Sequence, residues 1–499
     1  MNNHWITYAL AASCVAVIFF GGCIPEDSLQ WSDDGSVGVL AVGGALYSVD
    51  GQTGDLTEIT PRSVQLLPDI SKDGKWIAYA QQIESNSLSE GLKLLPAGQV
   101  KMITYYAGQV RNEVLETGGL KDDEFPFPDV GPLTPHDYRN WAIRYLCENA
   151  DSELAKVLGN EGIEKGKNKP INYFQVVVAP AKNPSGKRIV TASVFSILAP
   201  QLSPDAKSVA YLMHTQQGQV SNAYEEFALC VASLEADIRA MLVDSRVAFG
   251  YDWHEDSKTI AYLSADSEDL PNEDVILGTL KKKVVADSDG SLLAEPVQVP
   301  DSGSACTHRC TGKDVQLVGT LFYPWLKVEY GLDGRIFFSS FALPLPASKR
   351  DEATCSLFCY DPLTATVTDV LPRNVSVHTS DQVIGVSLFS LSPNGREVLL
   401  PIKNNRFVVH ALGTDSVELP IPQEEGFGDD ELPEMSPCWK GNNEISFLVA
   451  ENSHFVPKAE QGAAASRKEI IVLNKTAGTS RVLSKSWPDG MEPGSKDRQ

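Results

Sequence analysis

The chain has 499 residues, too many for one hydrophobic core, so it holds several domains or a repeat in which each unit packs on its neighbours. Its 42% apolar and 21% charged composition excludes wholesale disorder, and 38 glycines and 30 prolines suit a fold with many turns. The formal net charge of −23 argues against a nucleic-acid partner, whose binding depends on Lys and Arg neutralising phosphates, and fits a soluble, solvated surface.

No Asp, Glu, Lys or Arg precedes Glu26. Residues 5–20 are mostly apolar and lead into Phe20-Gly21-Gly22-Cys23. Small residues just ahead of a cysteine resemble a bacterial lipoprotein signal peptide. The resemblance implies removal of residues 1–22, lipidation of Cys23 as the mature N-terminus, and a short linker over 23–27. Ile24 stands where many inner-membrane lipoproteins carry Asp, which implies an outer-membrane anchor facing the periplasm or the exterior. A plain signal peptide and an uncleaved anchor helix are the other readings of the run, which is marginal against the roughly 20 apolar residues of a spanning helix.

One unit then recurs: a short extended segment, a tight turn and an apolar strand. It appears as Trp31-Ser-Asp-Asp-Gly35, Ile70-Ser-Lys-Asp-Gly74, Leu202-Ser-Pro-Asp-Ala206 and Trp253-His-Glu-Asp-Ser257. It continues as Tyr330-Gly-Leu-Asp-Gly334, Leu391-Ser-Pro-Asn-Gly395 and Cys438-Trp-Lys-Gly-Asn442. Pro presets φ, Asp or Asn bonds its own backbone, and Gly accepts positive φ, so each unit is a turn between two strands. Further strands follow at 45–49, 56–59, 227–234, 356–360, 407–412, 469–473 and 480–483. Four antiparallel strands per unit, repeated, make a propeller blade. The expected fold class is therefore all-β, a β-propeller of seven four-stranded blades over residues 28–485 with a disordered tail at 486–499. The Ser-Pro-Asp-Gly pattern with an Ile-Ala-Tyr strand resembles the TolB-type propeller repeat, also seen in prolyl-oligopeptidase-like enzymes. That resemblance implies the fold and leaves the function open.

Turn spacing is uneven. From Gly74 to Ala206 the chain runs far beyond one blade, which implies a partly helical insertion at about 104–168, between the second and third strands of blade two. Thr134-Pro135-His136-Asp137 is a helix start, and Tyr138, Trp141, Ala142, Tyr145 and Leu146 share one face. Gly159 reads as a stop, and a weaker helix is expected over 109–117. Trp141 and Tyr145 are candidate partner-binding residues if that face is not spent on packing. The loop 452–467 follows the second strand of the last blade and is expected on the same face as the insert.

The motifs of serine hydrolases, P-loops, dinucleotide folds, zinc proteases and calcium loops do not occur. His254 reads as part of a solvated turn. Cys306-Thr-His-Arg-Cys310 is a disulfide candidate in an oxidising compartment rather than a metal site. Cys355 and Cys359 lie about 13 Å apart along one strand, too far to bridge each other. Either they pair with Cys306 and Cys310, or they are small buried hydrophobes. No catalytic residue, metal or cofactor is expected. The reading is a cell-envelope binding or scaffolding propeller, membrane-bound through its lipid, with a protein or envelope-polymer partner. The alternative is an envelope enzyme acting on a glycan or peptide in the central funnel. An enzyme would gather titratable side chains at the channel mouth, and a scaffold would expose an apolar patch on the insert.

Overall fold

Most repeat turns are closed by their own side chains. In the first, Ser32 N–H donates to the Val37 carbonyl at 2.9 Å and Gly35 N–H to the Ser32 carbonyl at 2.8 Å, while the Ser32 hydroxyl donates to Asp34 Oδ1 at 2.8 Å. The hydroxyl bond recurs from Ser71 to Asp73, Ser203 to Asp205 and Ser392 to Asn394. The fourth turn residue takes positive φ, 67° at Gly35 and 68° at Gly74, and even Ala206 and Ser257 adopt it at 53° and 59°. His254 stands in for the serine of its turn, its Nδ1 accepting from Asp256 N–H at 3.2 Å. In the last turn Trp439 pairs with Ile445 across Gly441, which has φ 68°.

The computed structural model describes residues 28–42, 44–61, 67–85, 87–120, 136–214, 227–236, 238, 240–265, 276–296, 306, 308–322, 326–341, 355–371, 389–402, 406–413, 417–418, 437–450 and 468–484. The strands flanking the turns form five separate four-stranded antiparallel sheets and one nine-stranded sheet, arranged as a β-propeller. In the nine-stranded sheet the long strand Met241–Trp253 pairs by its first half with Phe227–Ser233 and by its second half with Thr259–Ala265.

The first strands of the sheets lie side by side around a common axis and are tied to one another. Asp33 N–H donates to the Lys72 carbonyl (3.1 Å), and Leu202 N–H to Asp69 Oδ2 (2.8 Å). Trp253 Nε1 donates to the Gln201 carbonyl (3.3 Å), and Tyr330 N–H to Asp252 Oδ2 (2.7 Å). Leu391 N–H donates to Glu329 Oε2 (2.7 Å), and Trp439 Nε1 to the Ser390 carbonyl (2.9 Å). The series returns to its start where Trp31 Nε1 donates to Ser446 Oγ at 2.6 Å and the Lys440 ammonium sits over the Trp31 ring. A Cβ on Gly35 would lie 3.1–3.2 Å from Lys440 and Gly441, so the closing turn packs tightly there.

Second strands are buried on both faces because each is covered by a neighbouring sheet. Val37–Val42 is buried at every position. The core is accordingly a succession of layers between sheets. Tyr79 and Ile77 pack with Val39 and Leu46 between the first two, and Trp31, Tyr47 and Phe447 pack between the last and the first.

Among the described residues, four helices interrupt the second sheet between Trp76–Ser85 and Ile171–Pro180: α1 (Leu88–Leu94), α2 (Ala97–Thr117), α3 (His136–Glu148) and α4 (Ser152–Lys167). The helical insert thus begins well before residue 104. Ser87 caps α1 by accepting from Glu90 N–H, Pro96 precedes α2, and Gly118 ends α2 at φ 79°. Asp151 caps α4 by accepting from Leu154 N–H. Gly159, read from sequence as a stop, lies inside α4 at φ 67° and marks a kink. Ile103, Tyr106, Ala107, Val110 and Val114 form one buried face of α2, and they pack with Tyr138, Trp141 and Ala142 of α3 over the second and third sheets.

Candidate functional site

The titratable groups at the turn end of the axis come from different sheets. Asp33, Lys72 and Glu255 each occupy the second position of a repeat turn, where the hydrogen-bond pattern leaves the side chain free to vary. Lys72 Nζ is paired with Glu255 Oε1, bridging the second sheet to the fourth repeat turn. Desolvation lowers the Lys72 ammonium, but Glu255, Asp33 and Asp252 outweigh it and leave the pKa raised. The Asp33 carboxyl is raised, first by desolvation and then by Glu255 and Asp34, against the pull of Lys72.

Deeper along the axis lie Asp69 and Asp252, each two residues before the first residue of its turn proper. A first strand has one unpaired edge, and its free N–H groups need acceptors. Asp69 supplies one to Leu202 and Asp252 one to Tyr330, while Asp252 Oδ1 also accepts from Trp253 N–H at 2.8 Å. Glu329 does the same for Leu391. Desolvation pushes the Asp69 carboxyl up to about 7, in spite of the Leu202 and Ile70 N–H groups and Lys72. Desolvation likewise pushes Asp252 up to about 7, opposed by Tyr330 N–H and Lys72 and reinforced by Glu329. Lys72 is therefore coupled electrostatically to four carboxyl groups, two of which, Asp69 and Asp252, are held near 7.

The residues singled out from sequence fall elsewhere. Trp141 is fully buried, with its Nε1 donating to the Asn172 carbonyl at 2.9 Å, and Tyr145 is half-buried against the same cluster. Tyr145 keeps part of its surface, while the condition set for a partner role fails at Trp141, which is spent on packing over the sheets. Gly91 explains how tightly, since a Cβ there would come within 2.5 Å of the Trp141 ring. Among the described residues of the insert, the exposed aromatic is Tyr105 on α2.

The expected pairing of Cys306 is also corrected, while Cys359 fits the other reading, a small buried hydrophobe. Cys306 does not reach the Cys355–Asp361 strand; its sulfur lies 3.2 Å from that of Cys230 in the Phe227–Ser233 strand. The reason is a long-range pairing: His308–Cys310 runs parallel to Met241–Trp253, with His308 opposite Met241. Cys310 Sγ faces the Val284 carbonyl, and Cys359 is buried, its thiol pushed up to about 11 by desolvation. The side chain of Cys355, together with Cys23 and loop 452–467, lies outside the described residues. Among the described residues, no three His, Cys, Asp or Glu side chains are grouped to hold a metal ion.

A separate cleft of about 630 Å³ lies between the fifth and sixth repeat turns, lined by Leu332, Asp333, Arg335, Asn394, Arg396 and Glu397. Its charges alternate in sign, whereas those at the axis are mostly of one sign.

No family model and no curated protein matches the chain. Among solved structures it is similar to an oligogalacturonate lyase from Vibrio parahaemolyticus, at 10% identity and a TM-score of 0.37, over 74% of this chain and 72% of that one. It is similar to an acylaminoacyl peptidase at 10% identity and a TM-score of 0.44, over 92% of this chain and 50% of the peptidase. A putative TolB from Agrobacterium tumefaciens is matched at 14% identity and a TM-score of 0.30, over 60% of this chain and 84% of that one. Likeness at this level carries no argument about activity.

Proposed function

We propose that this chain is a cell-envelope binding propeller that takes up a cationic group of a protein or envelope polymer at the turn-side mouth of its axis. The observation that carries the reading is the electrostatic coupling of Lys72 to Asp33, Asp69, Asp252 and Glu255, drawn from three sheets. We further read the ring as seven blades. Met241–Trp253 serves two of them, the fourth strand of one and the first of the next, so the nine-stranded sheet divides in two. Lipidation at Cys23 anchors the protein to the outer membrane in this reading, with the propeller facing the periplasm or the exterior.

The alternative is an envelope enzyme acting on a glycan or peptide in the funnel. It rests on one observation: the Asp69 and Asp252 carboxyls, held near 7, lie in the range suited to proton transfer at neutral pH.

The test is calorimetric titration with tetralysine as a basic probe. Wild type binds, more tightly at pH 8 than at pH 6, and the Asp33→Asn/Glu255→Gln variant loses at least tenfold in affinity. Equal affinity in the variant overturns the reading. Turnover of a glycan or peptide that Asp252→Asn abolishes, with probe binding intact, establishes the alternative instead.

A further inference from the structure

We propose that Cys230 and Cys306 form a disulfide that fastens the segment leading into the His308–Cys310 strand to the third strand of the third sheet. The two sulfurs are 3.2 Å apart and both residues are buried. They belong to the layer between the second and third sheets, with Tyr211 directly across the ladder from Cys230. The pair is separated by 76 positions in sequence. It is brought together because His308 N–H donates to the Ala240 carbonyl at 3.2 Å and the His308–Cys310 strand then continues parallel to Met241–Trp253. Sulfurs in contact inside a dry layer need only a small approach to reach bonding distance.

The reaction is a thiol–disulfide exchange. One cysteine thiolate attacks the disulfide of an exchange partner and releases one thiol from it. The second cysteine then attacks the mixed disulfide, forming the Cys230–Cys306 bond and releasing the other thiol. The partner disulfide takes the two electrons and two protons that the cysteines lose. The Cys306 contact, then burial, pushes the Cys230 thiol well above its ordinary range, so Cys230 is a poor nucleophile in the fold. Bond formation therefore belongs to folding, before the layer closes. Its occurrence in the cell rests on the export reading, since an oxidising compartment supplies the partner; the pairing itself does not.

The test keeps these apart by working in vitro. The full chain is reduced, unfolded in urea and refolded in a buffer of reduced and oxidised glutathione. Free thiols are then blocked, and the protein is digested without reduction. The expected product carries two fewer thiols, is about 2 Da lighter than the reduced chain and yields a cross-linked Cys230–Cys306 peptide. Cys310→Ser leaves that peptide in place and Cys306→Ser removes it. A refolded protein with both thiols free, or with Cys306 joined to another cysteine, overturns the proposal.

Discussion

Replacing Asp252 by Asn should change how the stability of the protein depends on pH. In the fold the Asp252 carboxyl is held near 7, chiefly by desolvation, against about 3.9 in an unfolded chain. The folded state therefore binds the proton more tightly. Between about pH 4 and pH 7 it holds more protons than the unfolded state, so its stability falls as pH rises through that window. The full difference corresponds to about 4 kcal/mol, an upper limit. Asp252 is only half-buried, and solvent screening reduces the effect to about 1–2 kcal/mol. Asn keeps an acceptor for the Tyr330 N–H and loses the one for Trp253 N–H, a cost of about 1 kcal/mol that does not vary with pH. Urea unfolding followed by tryptophan fluorescence at pH 5, 6, 7 and 8 measures the outcome. The variant should be the less stable protein at pH 5 and should gain on wild type by pH 8, by less than about 1–2 kcal/mol. A difference constant across the range, or one that moves the other way, refutes the reasoning about the buried carboxyl.

Trp141→Ala should destabilise the protein by about 3–5 kcal/mol in urea unfolding, because the ring fills the layer between α3 and the second sheet; a loss under about 1 kcal/mol would place the residue at a surface. Ser446→Ala removes the acceptor of Trp31 Nε1 where the first and last sheets meet, and should cost about 1–3 kcal/mol, measured by the same unfolding experiment. Cys23→Ser should shift the protein from the membrane fraction to the soluble fraction, or leave it unprocessed; unchanged fractionation and unchanged mature mass would remove the lipid anchor from the account.

Local chemistry made much of the fold legible. Ser32, Asp34 and Gly35 close their turn among themselves, and the same residue types recur at Ser71 and Ser392, so the repeat could be read without knowing what packs on it. His254 and Ser257 keep the turn while changing its letters, because Nδ1 replaces a hydroxyl and Ser257 tolerates positive φ. The start of the insert was harder to see, although Pro96 and Gly118 bracket α2. Its apolar residues are interleaved with Lys101, Thr104 and Gly108, which blur the stripe. Trp141 illustrates a different limit: amphipathic spacing shows that a helix has an apolar face, not what covers it. The pairing of Cys306 depends on a parallel strand contact far away in sequence, which no local pattern reveals. The site was present as a column. Gln30, Asp69, Gln201, Asp252, Glu329 and Ser390 stand at equivalent places before their turns, and all are polar. In a single strand that reads as ordinary alternation. Only the closed ring shows that Asp69, Asp252 and Glu329 serve the free edge of the next first strand.

The central claim is that the partner's cationic group enters at the mouth ringed by Asp33, Lys72 and Glu255. A tetralysine probe carrying a photoreactive group, irradiated on the protein and located by mass spectrometry of the digest, tests it most directly. The account predicts adducts on the first, second and fourth repeat turns, suppressed by excess unlabelled tetralysine and by Asp33→Asn/Glu255→Gln. Competable adducts confined to α2–α4 or to the cleft between the fifth and sixth turns would contradict it.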